Sequence, residues 1–171
     1  MRRRVFSVIL TVVAATLWLL PAARGGGPPT PANDRCSGAE VIPGCGPFPK
    51  LSGSASLAAA TAAEDPVPAC QKSVAGGVWY AFAPTTTGEY TITTCQDRAP
   101  GTTTPDTVLA LFNTKDNQCP ASSQAGCNDD DAACPDHAQQ ATVTASLVAG
   151  KTYFILAYAK SPVPPGAAKT G

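Results

Sequence analysis

The sequence contains little of the chemistry on which enzymes most often depend. It has a single histidine, His137, and charged residues make up only 14% of the chain. Neither a Gly-x-Ser-x-Gly nucleophile elbow nor a His-Glu-x-x-His metal-binding helix occurs. Hydrolysis needs a nucleophile with a base in reach, or a metal with an open position. We therefore expect no enzymatic activity and no catalytic residues.

Long apolar runs are scarce, and the longest lies at the N-terminus. Three arginines precede an apolar segment over residues 5–20, and Pro21 and small residues follow it. This layout predicts a secretory signal peptide over residues 1–25, with a Gly/Pro linker over residues 26–32. Because the run approaches the length of a bilayer span, an uncleaved membrane anchor is the alternative. If the segment is cleaved, we expect the protein to be secreted, and so extracellular or at the cell surface.

An excess of positive charge is also absent from the predicted mature chain. The precursor has 12 basic and 12 acidic residues. Cleavage removes four arginines and no acidic residue, which leaves eight basic residues and a net charge of about −4. Such a chain has no electrostatic reason to bind nucleic acid or an anionic membrane surface.

Cysteine, by contrast, is plentiful, and every cysteine follows the signal segment. In an oxidising compartment, seven cysteines predict three disulfides with one thiol left over. The spacing alone leaves the pairing open. The disulfide candidates are Cys36, Cys45, Cys70, Cys95, Cys119, Cys127 and Cys134.

The pattern of the mature chain predicts short strands separated by Pro- and Gly-rich turns. Residues 76–95 alternate in polarity on either side of a turn, which predicts a β-hairpin. Residues 51–63 predict a weak strand and residues 106–112 a central one. Residues 151–159 are expected at an exposed edge, and residues 161–171 as a disordered tail. The pattern predicts one all-β domain over residues 33–160, a disulfide-stapled, jelly-roll-like β-sandwich.

Spaced motifs across most of this domain carry a family resemblance. Asn33-Asp34-x-Cys36, VWYAF, GEYTITTC, DTVLALF, CNDDDAAC and AGKTYFILA follow one another in that order. This series resembles the bacterial pre-peptidase C-terminal domain, a small β-sandwich attached to secreted peptidases and other extracellular proteins. The resemblance implies a non-catalytic accessory module. Family members usually end with one more strand, of the pattern Gly-x-Tyr-x-Leu-x-Val, so the fold is expected to lack its last strand.

The acidic segment near the sixth and seventh cysteines is the candidate metal site. Crowded carboxylates repel one another, and a calcium ion would relieve that repulsion. The pattern is not an EF-hand loop, and a solvated loop rich in turn residues is the alternative. Asn33, Asp34 and Asp106 would contribute if the fold brought them close. The candidate calcium ligands are Asn128, Asp129, Asp130, Asp131 and Asp136.

Two further hypotheses concern reactive side chains. Cys119, Cys127 and Cys134 with His137 offer four zinc ligands, but their spacing lacks a Cys-x-x-Cys pair, and an oxidising compartment favours disulfides. A Cys–His catalytic pair is disfavoured for the same reason. Trp79 is the candidate binding aromatic: an exposed Trp79 would indicate a ligand platform, and a buried one a place in the core.

The sequence as a whole predicts a secreted accessory or binding module. Its expected partner is an extracellular polymer or a fused or associated secreted enzyme domain. A small secreted hydrolase or metal-dependent enzyme is the alternative from another class, and a structural component of the envelope or matrix is a third.

Overall fold

The computed structural model describes residues 29–53, 55–62, 64–73, 75–100, 102–119, 123–161 and 169–170. The predicted signal peptide lies outside them, as do parts of the linker and of the tail. Within these ranges the regular structure is nine β-strands and two 3-10 turns, Cys36–Gly38 and Leu57–Ala59. No helix among the described residues is long and apolar enough to cross a membrane. The strands are β1 Glu40–Ile42, β2 Ala55–Ser56, β3 Gly77–Phe82, β4 Gly88–Thr93, β5 Thr107–Asn113, β6 Ser123–Asn128, β7 Thr142–Leu147, β8 Tyr153–Ala159 and β9 Lys169–Thr170.

One layer is a five-stranded sheet in the order β1-β3-β8-β5-β6. β8 is antiparallel to both β3 and β5, and only β1 runs parallel to its neighbour. The expectation that residues 151–159 form an exposed edge is therefore wrong. All seven residues of β8 are buried, and a strand that is apolar on both faces is suited to the middle of a sheet rather than its edge. The central position predicted for β5 is confirmed.

The opposing layer consists of two short strand pairs. β4 pairs with β7, and β2 pairs with β9, both antiparallel. The predicted hairpin over residues 76–95 is wrong, because β3 and β4 belong to different sheets. The turn between them carries the chain from one layer to the other, so the alternation in each strand reports burial between layers and not pairing between the two strands.

Both faces of the large sheet are covered. Val78, Tyr80 and Phe82 of β3 face the second layer and pack with apolar residues of β5, β7 and β8. Trp79 faces the other way, into a second cluster with Phe112 and other residues of β5 and β8. Residues of the disulfide-bearing segments pack against this outer cluster. Segments without regular strands therefore bury the face that the second layer does not cover.

Three disulfides cross-link the domain, as the cysteine count predicts. They join Cys36 to Cys119, Cys70 to Cys127, and Cys95 to Cys134. The seventh cysteine, Cys45, is free and exposed. The all-β sandwich with three bridges is thus confirmed, and such bridges are consistent with an extracellular location.

The weakly patterned segments hold less regular structure than the rest. In residues 51–63, the strand predicted across the segment is limited to the two residues of β2, followed by a 3-10 turn. The tail over residues 161–171 contains strand β9, paired with β2, so the expectation of a wholly disordered tail is wrong for residues 169–170. Backbone hydrogen bonds form this pair in a stretch whose composition gives no strand signal.

Candidate functional site

A cleft of about 760 Å³ lies between the two layers. Its floor is the inner face of the large sheet, with Tyr80 and Phe82 of β3, Leu109 of β5, and Ile155 and Ala157 of β8. On the side of the second layer, β4 lines the cleft, whereas neither β2 nor β7 does. Its volume falls within the range of about 300–1,000 Å³ that is typical of ligand pockets.

Strand β4 forms one wall of the cleft. Tyr90 and Ile92 point inward but are only partly buried, whereas Glu89 and Thr91 point to solvent. In a complete second layer, a further strand beside β4 would help to cover the side chains of Tyr90 and Ile92. β4 therefore alternates in polarity as a strand that covers a core does, but its inward-facing side chains remain partly accessible from the cleft.

The opposite wall is the irregular segment over residues 48–52, which β1 holds in place. The backbone N–H of Gly53 donates a 2.6 Å hydrogen bond to Oε1 of Glu40, and the Tyr80 hydroxyl donates a longer one, of 3.4 Å, to the carbonyl of Gly53. Leu51 lies on this wall and is 59% exposed. Two strands thus orient a segment that has no regular structure of its own.

Three aromatic rings meet at one end of the cleft. Phe48 stands edge-on to Tyr90, with ring centroids 5.7 Å apart, and to Phe82, at 6.4 Å. Phe82 and Tyr90 are themselves 5.3 Å apart. Such edge-to-face arrangements stabilise a rigid apolar surface, and Phe48 leaves about half of its own surface, 49%, exposed. This aromatic corner is the part of the cleft best suited to hold an apolar or aromatic group.

Charged residues belong to the lining of the cleft as well. Lys50 belongs to the irregular wall, Glu89 to β4, and Asp97 and Arg98 to the turn that follows β4. Two cations and two carboxylates give this lining no net charge, so electrostatics alone does not select a ligand of one sign. The sequence does not reveal the cleft, because its width depends on how the two layers meet. Its one signal is Phe48, a phenylalanine within a Pro- and Gly-rich segment.

The predicted calcium ligands separate into two groups. Asp129 and Asp130 lie with Asp106 in a cluster whose ligand oxygens are all within 4.8 Å of one another. Asn128 directly precedes this pair at the end of β6, and its side-chain oxygen is buried without a hydrogen-bond partner. The acidic segment and Asp106 are thus brought together, which the sequence posed only as a condition.

Asp131 and Asp136 do not belong to this cluster. Oδ1 of Asp131 accepts a 2.9 Å hydrogen bond from the backbone N–H of Ala133, and hydrogen bonds from Thr142 and Ala133 lower the pKa of Asp131. Asp136 is exposed and has a positive φ of 58°, a turn conformation that aspartate tolerates. The prediction that all five residues share one ion is therefore wrong, because the chain turns away after Asp130.

Asn33 and Asp34 lie elsewhere, at the entrance to the domain. The Asn33 side chain donates a 3.1 Å hydrogen bond to the carbonyl of Trp79. The Asp34 carboxylate accepts hydrogen bonds from the backbone N–H and the hydroxyl of Thr61. Both residues are buried, and their polar groups secure the start of the chain against β3 and residues 60–61.

Lys160 is the countercharge of the acidic cluster. Its Nζ lies 2.7 Å from Oδ2 of Asp129 and 3.7 Å from Oδ2 of Asp130. The hydrogen bond with Asp129 raises the pKa of Lys160. Burial raises the pKa of Asp106; Lys160 opposes this effect, and the charges of Asp129 and Asp130 add to it. One ammonium group therefore faces three carboxylates.

The disulfides remove the cysteine thiols that a zinc site or a Cys–His catalytic pair in this region would need. Cys119, Cys127 and Cys134 each form a disulfide with a different partner, so the zinc set is wrong. His137 lies in the turn after Cys134, and its backbone N–H donates a 3.4 Å hydrogen bond to the carbonyl of that cysteine. The cysteine nearest to His137 along the chain is therefore bridged and offers no thiolate.

Trp79 occupies the core. It is 2% exposed, its ring centroid is 5.7 Å from that of Phe112, and its indole N–H donates a 2.8 Å hydrogen bond to Asp65. This is the buried arrangement that indicates a core residue and not a ligand platform. The exposed aromatic surface is at Phe48 instead, on the opposite side of the large sheet.

Comparisons with protein-family models, with curated proteins and with solved structures returned no match.

Proposed function

We propose that this chain is a secreted, non-catalytic binding module that holds part of an extracellular polymer, or of an associated secreted enzyme, in the cleft between its layers. The observation that carries the proposal is the cleft itself, with its apolar floor and its half-exposed aromatic corner. Large aromatic groups that remain exposed beside a concavity are typical of binding surfaces.

Other features suit an extracellular accessory role. Three disulfides stabilise the domain in an oxidising environment, and the N-terminal segment has the layout of a signal peptide. The motifs that resemble the pre-peptidase C-terminal domain imply a module that works beside a catalytic partner. Together these features favour attachment over chemistry as the role of the chain.

Sedimentation with insoluble polymers tests this proposal. The purified secreted chain is mixed with protein fibres, chitin or peptidoglycan, and the bound fraction is measured. We expect Phe48→Ala and Leu51→Ser to reduce binding, because both remove apolar surface from the cleft wall. Val67→Ser is the matched control, since Val67 is similarly exposed, at 56%, and does not line the cleft.

The same variants are compared in their binding of anilinonaphthalene sulfonate, a dye that fluoresces in apolar sites. Loss of dye binding in the two cleft variants, but not in the control, would show that the cleft is open to apolar groups. Equal polymer binding by all four proteins would contradict the proposal. Release of soluble fragments from a polymer would favour the hydrolase alternative, and self-association without polymer binding would favour a structural component.

A further inference from the structure

The ends of three neighbouring strands converge on one polar site. Asp106 directly precedes β5, Asp129 and Asp130 directly follow β6, and Lys160 directly follows β8. β5 is antiparallel to both β6 and β8, so the start of β5 lies beside the ends of the other two. The backbone N–H of Lys160 donates a 3.3 Å hydrogen bond to the carbonyl of Asp106. Sheet pairing therefore holds these four residues together, and no flexible loop is needed to do so.

We propose that Asp106, Asp129 and Asp130 form a calcium site at this edge, and that Lys160 weakens the site by competing with the ion for the Asp129 carboxylate. The cleft plays no part in this inference, which does not rest on the proposed binding function.

Unsatisfied oxygens within and beside the carboxylate cluster support a cation ligand. Oδ1 of Asp106, of Asn128 and of Asp129 are each shielded from solvent without a hydrogen-bond partner. The hydroxyl of Tyr158 shares this state, and Tyr158 is completely buried. Burial raises the pKa of this hydroxyl most, and the charges of Asp129, in the cluster, and of Asp65, outside it, raise it further. Buried oxygens without partners are costly, and a bound cation would satisfy several of them at once.

The size of the cluster favours calcium over magnesium. Calcium binds oxygen at about 2.3–2.6 Å, so ligands on opposite sides of the ion are about 4.6–5.2 Å apart. Magnesium binds at about 2.0–2.1 Å in a strict octahedron, which limits the same separation to about 4.2 Å. The ligand oxygens lie within 4.8 Å of one another, a limit that matches the span of calcium ligands more closely than that of magnesium ligands. Calcium also accepts the irregular, all-oxygen coordination that strand ends supply.

Lys160 decides how tightly the site binds. Its ammonium already contacts Asp129 and, more distantly, Asp130. An incoming calcium ion must therefore displace this ammonium or bind in spite of its repulsion. The Lys160 side chain is 35% exposed, which leaves it room to swing away. We expect an affinity in the range of about 10⁻⁴–10⁻³ M, as in other extracellular calcium modules. Such a site fills outside the cell and empties when calcium is low.

Calcium titration of the purified secreted chain tests the proposal, with the melting temperature and the heat of binding as readouts. We expect millimolar calcium to raise the melting temperature, and magnesium at equal ionic strength to raise it much less. Lys160→Met removes the ammonium and keeps the aliphatic stem. This change should tighten calcium binding by at least about tenfold, because a single charge about 4 Å from a divalent ion weakens its binding by more than this factor even at the dielectric constant of water.

Ligand variants complete the test. Asp130→Asn should abolish the calcium response and should still fold, since the Asp130 side chain is 52% exposed; Asp106→Asn should do the same. Asp136→Asn is the matched control and should respond like the wild type, because Asp136 lies outside the cluster. Three results would each overturn the proposal: no calcium response in either the wild type or Lys160→Met, an intact response in Asp130→Asn, or unchanged affinity in Lys160→Met.

Discussion

The indole N–H of Trp79 donates a 2.8 Å hydrogen bond to Oδ1 of Asp65, a carboxylate drawn into the outer core from a segment without regular structure. The second oxygen of Asp65 is buried without a partner. Burial raises the pKa of Asp65 above its ordinary value of 3.8, although hydrogen bonds from Trp79 and from the backbone of Gly77 work in the opposite direction. The largest buried aromatic residue of the domain thus depends on a polar contact that is itself costly in its charged form.

This relationship makes stability depend on pH in a defined direction. Because the pKa of Asp65 is higher in the folded than in the unfolded state, its stabilising contribution is complete below about pH 3.8 and is lost as the pH rises through the folded pKa. We expect the unfolding free energy of the wild type to fall with rising pH, relative to Asp65→Asn, until Asp65 is fully ionised. Asparagine retains an oxygen that accepts the Trp79 hydrogen bond, and the other titrating groups cancel in the comparison.

Guanidinium unfolding of both proteins at several pH values measures this difference. A difference that stays constant with pH, or that increases as the pH rises, would show that burial does not dominate the titration of Asp65.

Gln140 carries a second internal polar link. It is completely buried; its Oε1 accepts a 2.7 Å hydrogen bond from the backbone N–H of Gln96, and its Nε2 donates a 2.8 Å one to the carbonyl of Thr104. Gln140→Ala removes both hydrogen bonds from the interior and opens a cavity. We expect a loss of about 2–4 kcal/mol in the free energy of unfolding, measured by denaturant titration. The exposed neighbour provides the control: Gln139→Ala should change stability by less than about 0.5 kcal/mol, and an equal loss in both variants would refute the argument.

The Cys95–Cys134 bridge connects the same region covalently across 39 residues of sequence. In the chain-entropy model, closing a loop of this length stabilises the folded state by about 4 kcal/mol. Replacing both cysteines by alanine should therefore lower the free energy of unfolding by about that amount. Cys45→Ser controls for the chemistry of the substitution, because Cys45 is free and exposed, and it should be close to neutral. A small loss in the double variant would mean that the hydrogen bonds of Gln140 alone hold this region.

Alternation in the sequence locates strands well, because burial on one face produces it directly. It predicts β3 and β4 close to their observed bounds, and continuous apolar runs do the same for β5 and β8. It does not predict their partners: the turn at residues 83–87 resembles that of a hairpin but carries the chain from one layer to the other. Pairing is a long-range property, and a single sequence contains little information about it.

The candidate calcium site likewise combines features that the sequence predicts with features that depend on the fold. The acidic segment is visible in the sequence, but Asp106 joins it only because β5 and β6 pair, and Asp131 leaves it because the chain turns. The cysteine count predicts three bridges, whereas their connectivity follows from which segments the fold brings together. The cleft has no sequence signature, because its two walls, β4 and the irregular segment over residues 48–52, come together only in the folded chain.

The closeness of the two layers at Gly126 yields a last prediction. Gly126 lies in β6, and a Cβ atom placed on it would be 2.8 Å from Cγ1 of Val143 in β7, whose side chain is buried in the inner core. That distance is shorter than van der Waals contact, so Gly126→Ala must push Val143, and with it β7, away from the large sheet. We expect a loss of about 1–3 kcal/mol in the free energy of unfolding. Gly88→Ala in β4 is the matched control, since its Cβ would meet nothing closer than the Tyr90 ring at 4.0 Å; it should be neutral or should stabilise by up to about 1 kcal/mol, because alanine restricts the unfolded chain. Equal stability of the two alanine variants in a denaturant titration would mean that the layers have room to separate at β6 and β7, as they do at the cleft.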